Sequence, residues 1–227
     1  MQTSHNFRIY FLFCLCFILS ACGSAQKSEF NDYRDGLLLT RSMISRFGEY
    51  SGDTTYLTYL KTRLLKKAPF SDKTNYKIVV LDTDQALAFS PGGGFILLSR
   101  GMIKRCKTES ELGFIIAHEI SHQYLGHTLI LHESLDSKDI NSYSKDQELA
   151  ADKLAIALVA TAGYNPNTAL LAIVNAYYNN PYIHNSYSHP DMEERISAIR
   201  STIDSAKWLP PGTINRRAFL IFINKLP

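Results

Sequence analysis

The run His118-Glu119-Ile120-Ser121-His122 constrains this chain more than any other feature. Side chains four apart on an α-helix lie on one face, one turn apart, so a helix through this run brings two imidazoles within reach of a single zinc ion. Glu119, beside the first of them, is then placed to reach a water at that ion and to act as the catalytic base. The helix must also be buried, because Leu112, Ile115, Ile116 and Ile120 surround the polar residues. The pattern predicts a helix over residues 109–126, capped by Thr108 or Ser110 and ended by Gly126.

A second pair at the same spacing follows in Glu148-Leu149-Ala150-Ala151-Asp152. A catalytic zinc commonly takes two His and one Glu and leaves one position open, so Glu148 is the candidate third ligand. Asp152 is the candidate support, holding the free ring nitrogen of a ligand histidine. The alternative is a pair of solvated acids. The apolar neighbours Leu149, Ala150, Ala151, Leu154, Ile156 and Ala157 argue against it, since unpaired acids on a buried helix are costly. That helix is expected over residues 145–162, ending at Gly163.

The remaining pattern is an α+β arrangement, mainly helical. Residues 29–48 place Tyr33, Leu37, Ile44 and Phe47 on one helical face, and a second helix begins after Asp53 with Tyr56, Leu57, Leu60 and Leu64. Tyr76 to Leu81, Gln85 to Phe89 and Phe95 to Ser99 read as strands, with a turn over Pro91-Gly92-Gly93-Gly94. Residues 128–144 and 180–190 read as loops. Further helices are expected from Pro166 to about Asn179 and over residues 190–205 from Pro190. The apolar run from Ala218 to Ile223 is too short to span a membrane and is expected to dock on the domain.

Arg8 followed by an eleven-residue apolar run, Ile9 to Leu19, has the form of a secretory signal peptide. The next residues, Leu19-Ser20-Ala21-Cys22, resemble the bacterial lipobox, which implies lipidation of Cys22 and a stable membrane anchor. The resulting division is a lipoprotein signal peptide over 1–21, a lipidated cysteine and tether over 22–28, a metallopeptidase domain over 29–205 and a tail over 206–227. Gly23 favours the outer membrane, as no Asp follows the cysteine. Beyond Cys22 only Cys106 remains, so no intrachain disulfide is expected in the mature part, and Cys106 reads as a buried apolar residue. The formal net charge of +3, with no basic stripe, excludes a nucleic-acid partner.

On these motifs the chain resembles the HtpX-like and CAAX-prenyl-protease-like zinc metallopeptidases, family forty-eight of the metallopeptidases. It is most similar to their small periplasmic lipoprotein members, the BepA- and LoiP-like proteins. The matching pieces are Phe89-Ser90-Pro91-Gly92-Gly93, Ile96 to Gly101, the His118 motif, Glu148 to Asp152, and Ser188-His189-Pro190 followed by Glu194-Arg195-Ile196. The resemblance implies a zincin-type, gluzincin-like domain with one zinc on His118, His122 and Glu148, catalysis by Glu119, and a small sheet whose edge strand borders the cleft. It also implies a loop carrying His189 near the metal, where His189 would bind substrate, assist charge or cover the ion, and a bracing role for Arg195.

A step of five from His122 turns away from the zinc face, so His127 reads as structural. Gly93, Gly94, Phe95 and Ile96 are expected to form the substrate edge, with the glycines allowing close approach of an extended chain. The function so read is a membrane-anchored zinc metalloendopeptidase. Its substrates would be unfolded or misassembled envelope polypeptides, and outer-membrane assembly machinery is a possible partner. The alternative is a chaperone-like lipoprotein with a mostly latent zinc site.

Overall fold

The computed structural model describes residues 32–68, 75–127, 143–178, 191–206 and 211–227. The expected signal peptide, Cys22, the tether and His189 lie outside the described residues.

Strands β1 (Lys77–Leu81), β2 (Ala88–Gly92) and β3 (Phe95–Ser99) form a three-stranded sheet in the order β1-β3-β2. β1 runs parallel to β3, with Lys77 opposite Phe95, and β2 runs antiparallel to it, with Ala88 opposite Leu98. Successive side chains alternate between faces, and here both faces are covered. Val79, Leu81, Phe89, Phe95 and Leu97 pack with Met43, Leu37, Ile44 and Phe47 of helix α1, residues 32–47. Val80, Ile96 and Leu98 point the other way, into the main core. Two buried faces explain why β3 is an unbroken apolar run, Phe-Ile-Leu-Leu, and not an alternating one.

The sheet departs from expectation at β2. Its strand begins at Ala88, not Gln85, and runs through Pro91 to Gly92, so the turn is confined to Gly93 and Gly94. The Leu87 N–H is bound by Ser99 Oγ at 2.9 Å, and the chain bends at residues 84–85 before the strand begins. Pro91 is accommodated because β2 is an outer strand with a register shift between Phe89 and Gly92.

Helix α2 (Thr55–Leu65) buries Leu57, Leu60 and Leu64, and the Asp53 carboxylate accepts the Thr55 N–H at 2.9 Å. A short helix absent from the sequence reading, α3 (Arg100–Arg105), leaves β3 directly, with Ser99 capping it by accepting the Met102 N–H. Helices α4 (Glu109–Tyr124) and α5 (Lys145–Thr161) pack against each other at the centre, joined by α6 (Thr168–Tyr177) and α7 (Met192–Ser205). The cap of α7 is Asp191, which accepts the Glu194 N–H at 2.7 Å. Helix α8 (Arg216–Ile223) inserts Phe219 and Phe222 into the main core, as the apolar tail run predicts.

The start of α4 is held by a buried polar cluster. Glu109 accepts from the Tyr56 hydroxyl, from Arg63 Nη1 at 3.1 Å, from the Tyr164 hydroxyl at 2.8 Å and from Asn215 Nδ2 at 2.8 Å. Four donors from three separate segments thereby satisfy one buried carboxylate, as a buried polar group requires.

Candidate active site

Helix α4 is held in register by Thr108, whose hydroxyl accepts the Glu111 N–H, and it is buried from Glu109 to His122. Helix α5 starts with a capping box between Ser144 and Gln147, which sets Glu148 in its first turn and Asp152 one turn on. The close packing of α4 on α5 brings the two pairs face to face. His118 Nε2 and His122 Nε2 stand 3.0 Å apart, and Glu148 Oε2 and Oε1 lie 3.3 and 3.8 Å from them respectively. One ligand atom from each of the three residues falls within 4.8 Å of the others.

The residues fit a zinc ion. Ligand atoms ~2.0–2.2 Å from a tetrahedral zinc are roughly 3.3 Å from one another, the scale of the separations here. The electrostatics ask for a cation as well. Burial opposes charge on His118, but hydrogen bonds to Asp152 and Glu148 outweigh it and hold the imidazole up at about 10. His122 is driven well below its ordinary value by burial and by its neighbour His118, so its second nitrogen stays available as a lone pair.

Asp152 Oδ1 sits 3.0 Å from His118 Nδ1, which turns the Nε2 lone pair towards Glu148. Arg195, on α7, binds both Asp152 oxygens and also reaches Glu148 Oε2 with Nη1 at 3.2 Å. Burial disfavours charge on Asp152, yet Arg195 and His118 hold its carboxyl below the usual range. Glu119 is buried, and its Oε2 has no hydrogen-bond partner among the described residues. Desolvation lifts its carboxyl to about 7, a value suited to receiving and returning a proton near neutrality.

The expected substrate edge is corrected by the sheet. β3 is the central strand, so Phe95 and Ile96 offer no free edge, and both side chains are in the core. The Gly93 N–H is taken by Asp32 Oδ2 at 2.8 Å and the Gly94 N–H by Gln123 Oε1 at 2.7 Å. Gly93 admits the close approach of α1: a Cβ on it would stand 2.5 Å from the Tyr33 Cα, and one on Gly36 would stand 2.5 Å from the Gly92 oxygen. The outer strand packed against α4 is β2.

Three contributors escaped the sequence reading. Gln123 ties α4 to the hairpin, its Nε2 donating to the Phe95 carbonyl at 2.7 Å while Oε1 accepts from Gly94. Tyr143 stacks on the His122 ring with centroids 3.5 Å apart and donates its hydroxyl to the Ser90 carbonyl at 2.8 Å. His127, expected to turn away, has its Nδ1 3.0 Å from His122 Nδ1. Only Gly126 carried a signal for that contact, as a residue able to reverse the chain.

Residues 51–137 match peptidase family M48 and residues 110–207 match Peptidase U49, the two overlapping across the His118 motif. The chain is similar to the mitochondrial metalloendopeptidase OMA1 of Schizosaccharomyces pombe, 22% identical over 78% of this chain and 60% of the relative. It is also similar to a beta-barrel assembly-enhancing protease of Yersinia pestis, 24% identical over 70% of this chain and 41% of the relative. The chain therefore spans between two fifths and three fifths of the length of these two relatives.

Proposed function

Starting from the match of residues 51–137 to peptidase family M48, we propose that this chain is a member of that family and a zinc-dependent metalloendopeptidase of the bacterial cell envelope, cleaving unfolded or misassembled polypeptides. The observation that carries the reading is the convergence of His118, His122 and Glu148 beside a Glu119 whose Oε2 is buried and has no hydrogen-bond partner among the described residues.

His118, His122 and Glu148 hold the ion in this reading. The chemistry it supplies when bound is Lewis acidity toward a peptide carbonyl and toward water. Glu119 takes the proton from the attacking water and delivers it to the leaving amine. Asp152 keeps His118 in the tautomer that presents Nε2, and Arg195 keeps Asp152 ionised and aimed. An extended substrate aligns along β2, the outer strand beside α4, in place of the buried Phe95 and Ile96. Backbone pairing of this kind is tolerant of sequence, which suits unfolded clients. His189, which lies outside the described residues, serves in this reading as a gate or as an assisting group, and the sign of the His189→Ala effect on basal proteolysis separates the two.

The envelope setting rests on the lipobox-like Leu19 to Cys22 and on the likeness to a protease named for β-barrel assembly. No described helix is long and apolar enough to cross a membrane; the anchor in this reading is a lipid on Cys22. Casein digestion by the zinc-loaded chain tests the activity. Glu119→Gln should retain zinc and lose digestion by about 10²-fold or more, as for loss of a general base. Digestion at the wild-type rate by that variant would refute the mechanism.

A further inference from the structure

We infer that His127 is a positioning residue for the zinc site: it accepts the Nδ1–H of His122 and so fixes the tautomer and heading of that ring. The inference rests on the reading of His122 as a metal ligand and extends it to the group behind the ligand.

The contact is a product of how α4 ends. Gly126 adopts φ +69°, its N–H donates to the Gln123 carbonyl at 3.1 Å, and the His127 N–H donates to the His122 carbonyl at 2.9 Å. This pair of bonds is the Schellman closure, in which the residue after the glycine folds back over the residue five before it. That fold-back usually seals an apolar contact. Here both partners are histidines, and their Nδ1 atoms meet at 3.0 Å with the rings inclined at 65°.

The proton assignment follows from burial. His122 is fully buried, so a ring N–H on it needs an acceptor. Its Nε2 faces His118 and Glu148, where a ligand must present a lone pair, which leaves the proton on Nδ1. Tyr143 stacks on the face of the ring and directs its hydroxyl to the Ser90 carbonyl, so it fixes the plane. Among the described residues, His127 Nδ1 is the atom in reach. It therefore carries the lone pair, with its own proton on Nε2. The two histidine ligands are thus braced differently, His118 by the Asp152 carboxylate and His122 by a neutral imidazole.

Zinc competition against a chromophoric chelator, run on the full chain with folding checked by circular dichroism, tests the role. His127→Phe keeps a ring and removes the acceptor. It should weaken zinc binding about 10- to 100-fold, the usual effect of losing such a partner. His127→Asn places an oxygen where Nδ1 stood and should recover most of that loss. Unchanged affinity in His127→Phe, or an Asn variant as weak as the Phe variant, would overturn the inference. His122→Ala serves as the control. If it keeps stoichiometric zinc, the ligand reading falls and this inference with it; if it loses zinc while His127→Phe binds normally, this inference alone falls. Nitrogen NMR of the unmutated zinc-loaded chain reads the same claim without a substitution: Nδ1 protonated on His122 and unprotonated on His127, the reverse assignment being fatal.

Discussion

Arg195 grips Asp152 through two hydrogen bonds, Nε to Oδ2 at 2.8 Å and Nη2 to Oδ1 at 2.6 Å, across 43 residues of sequence and with both side chains buried. A planar guanidinium matched to a carboxylate in this way fixes direction as well as distance. The pair locks α7 to α5 and, through Asp152, sets His118. Replacing Arg195 by Met leaves Asp152 buried without its cation, a loss that costs about 3–5 kcal/mol when a buried pair is broken. Urea denaturation should show a loss of that size, and Arg195→Lys should not fully restore it, since an ammonium lacks the rigid planar fork that matches the carboxylate. A change within experimental error in the Met variant would show the pair to be dispensable.

Zinc content should be one ion per chain and should be lost in His118→Ala and in His122→Ala, as measured by elemental analysis. The stabilisation that zinc confers should also grow with pH. His118 is held up at about 10 against an ordinary 6.5. Its raised value means that the proton contributes stability fully below about 6.5, and that this contribution is lost as pH climbs through about 10. Zinc replaces that proton. The rise in Tm on adding zinc to chelator-treated protein should therefore be larger at pH 8.5 than at pH 6, and a smaller rise at the higher pH would contradict this account.

Gly93→Ala separates two uses of the glycine turn. With φ +60° and a Cβ that would meet the Tyr33 Cα at 2.5 Å, the substitution is strained in its backbone and crowded by α1. It should destabilise the fold by about 1–3 kcal/mol, the cost of one strained backbone position. A variant of native stability with altered KM would instead restore the glycine to a substrate role.

Gln123→Ala removes an acceptor for the Gly94 N–H and a donor for the Phe95 carbonyl together. Leaving such partners unsatisfied costs about 1–3 kcal/mol each where they are buried. Hydrogen exchange should report it locally, with the Gly94 amide exchanging faster while the core of β1 keeps its protection. Uniform acceleration across the sheet would indicate a global loss instead.

Cys22→Ser should abolish metabolic labelling with fatty acid and release the chain from membranes on fractionation. Labelling that persists in this variant would remove the lipid anchor from the proposal.

The sequence by itself determined the helices and the chemistry that local spacing can carry. His118 and His122 share a face because both lie on one helix at a step of four, and the same step joins Glu148 to Asp152. Apolar periodicity located α2, α5 and the docking of Phe219, since burial follows the repeat within each element. Relations between elements were decided only by tertiary structure. Nothing in Phe95-Ile96-Leu97-Leu98 says whether the strand is central or outer, because a run buried on both faces looks the same in either place. Gly93 of the turn admits α1, a partner about 60 residues upstream that no local pattern announces. His127 was misplaced for a related reason: helical geometry sends a step of five off the metal face, but that geometry stops at Gly126, and the left-handed residue folds the next one back onto His122.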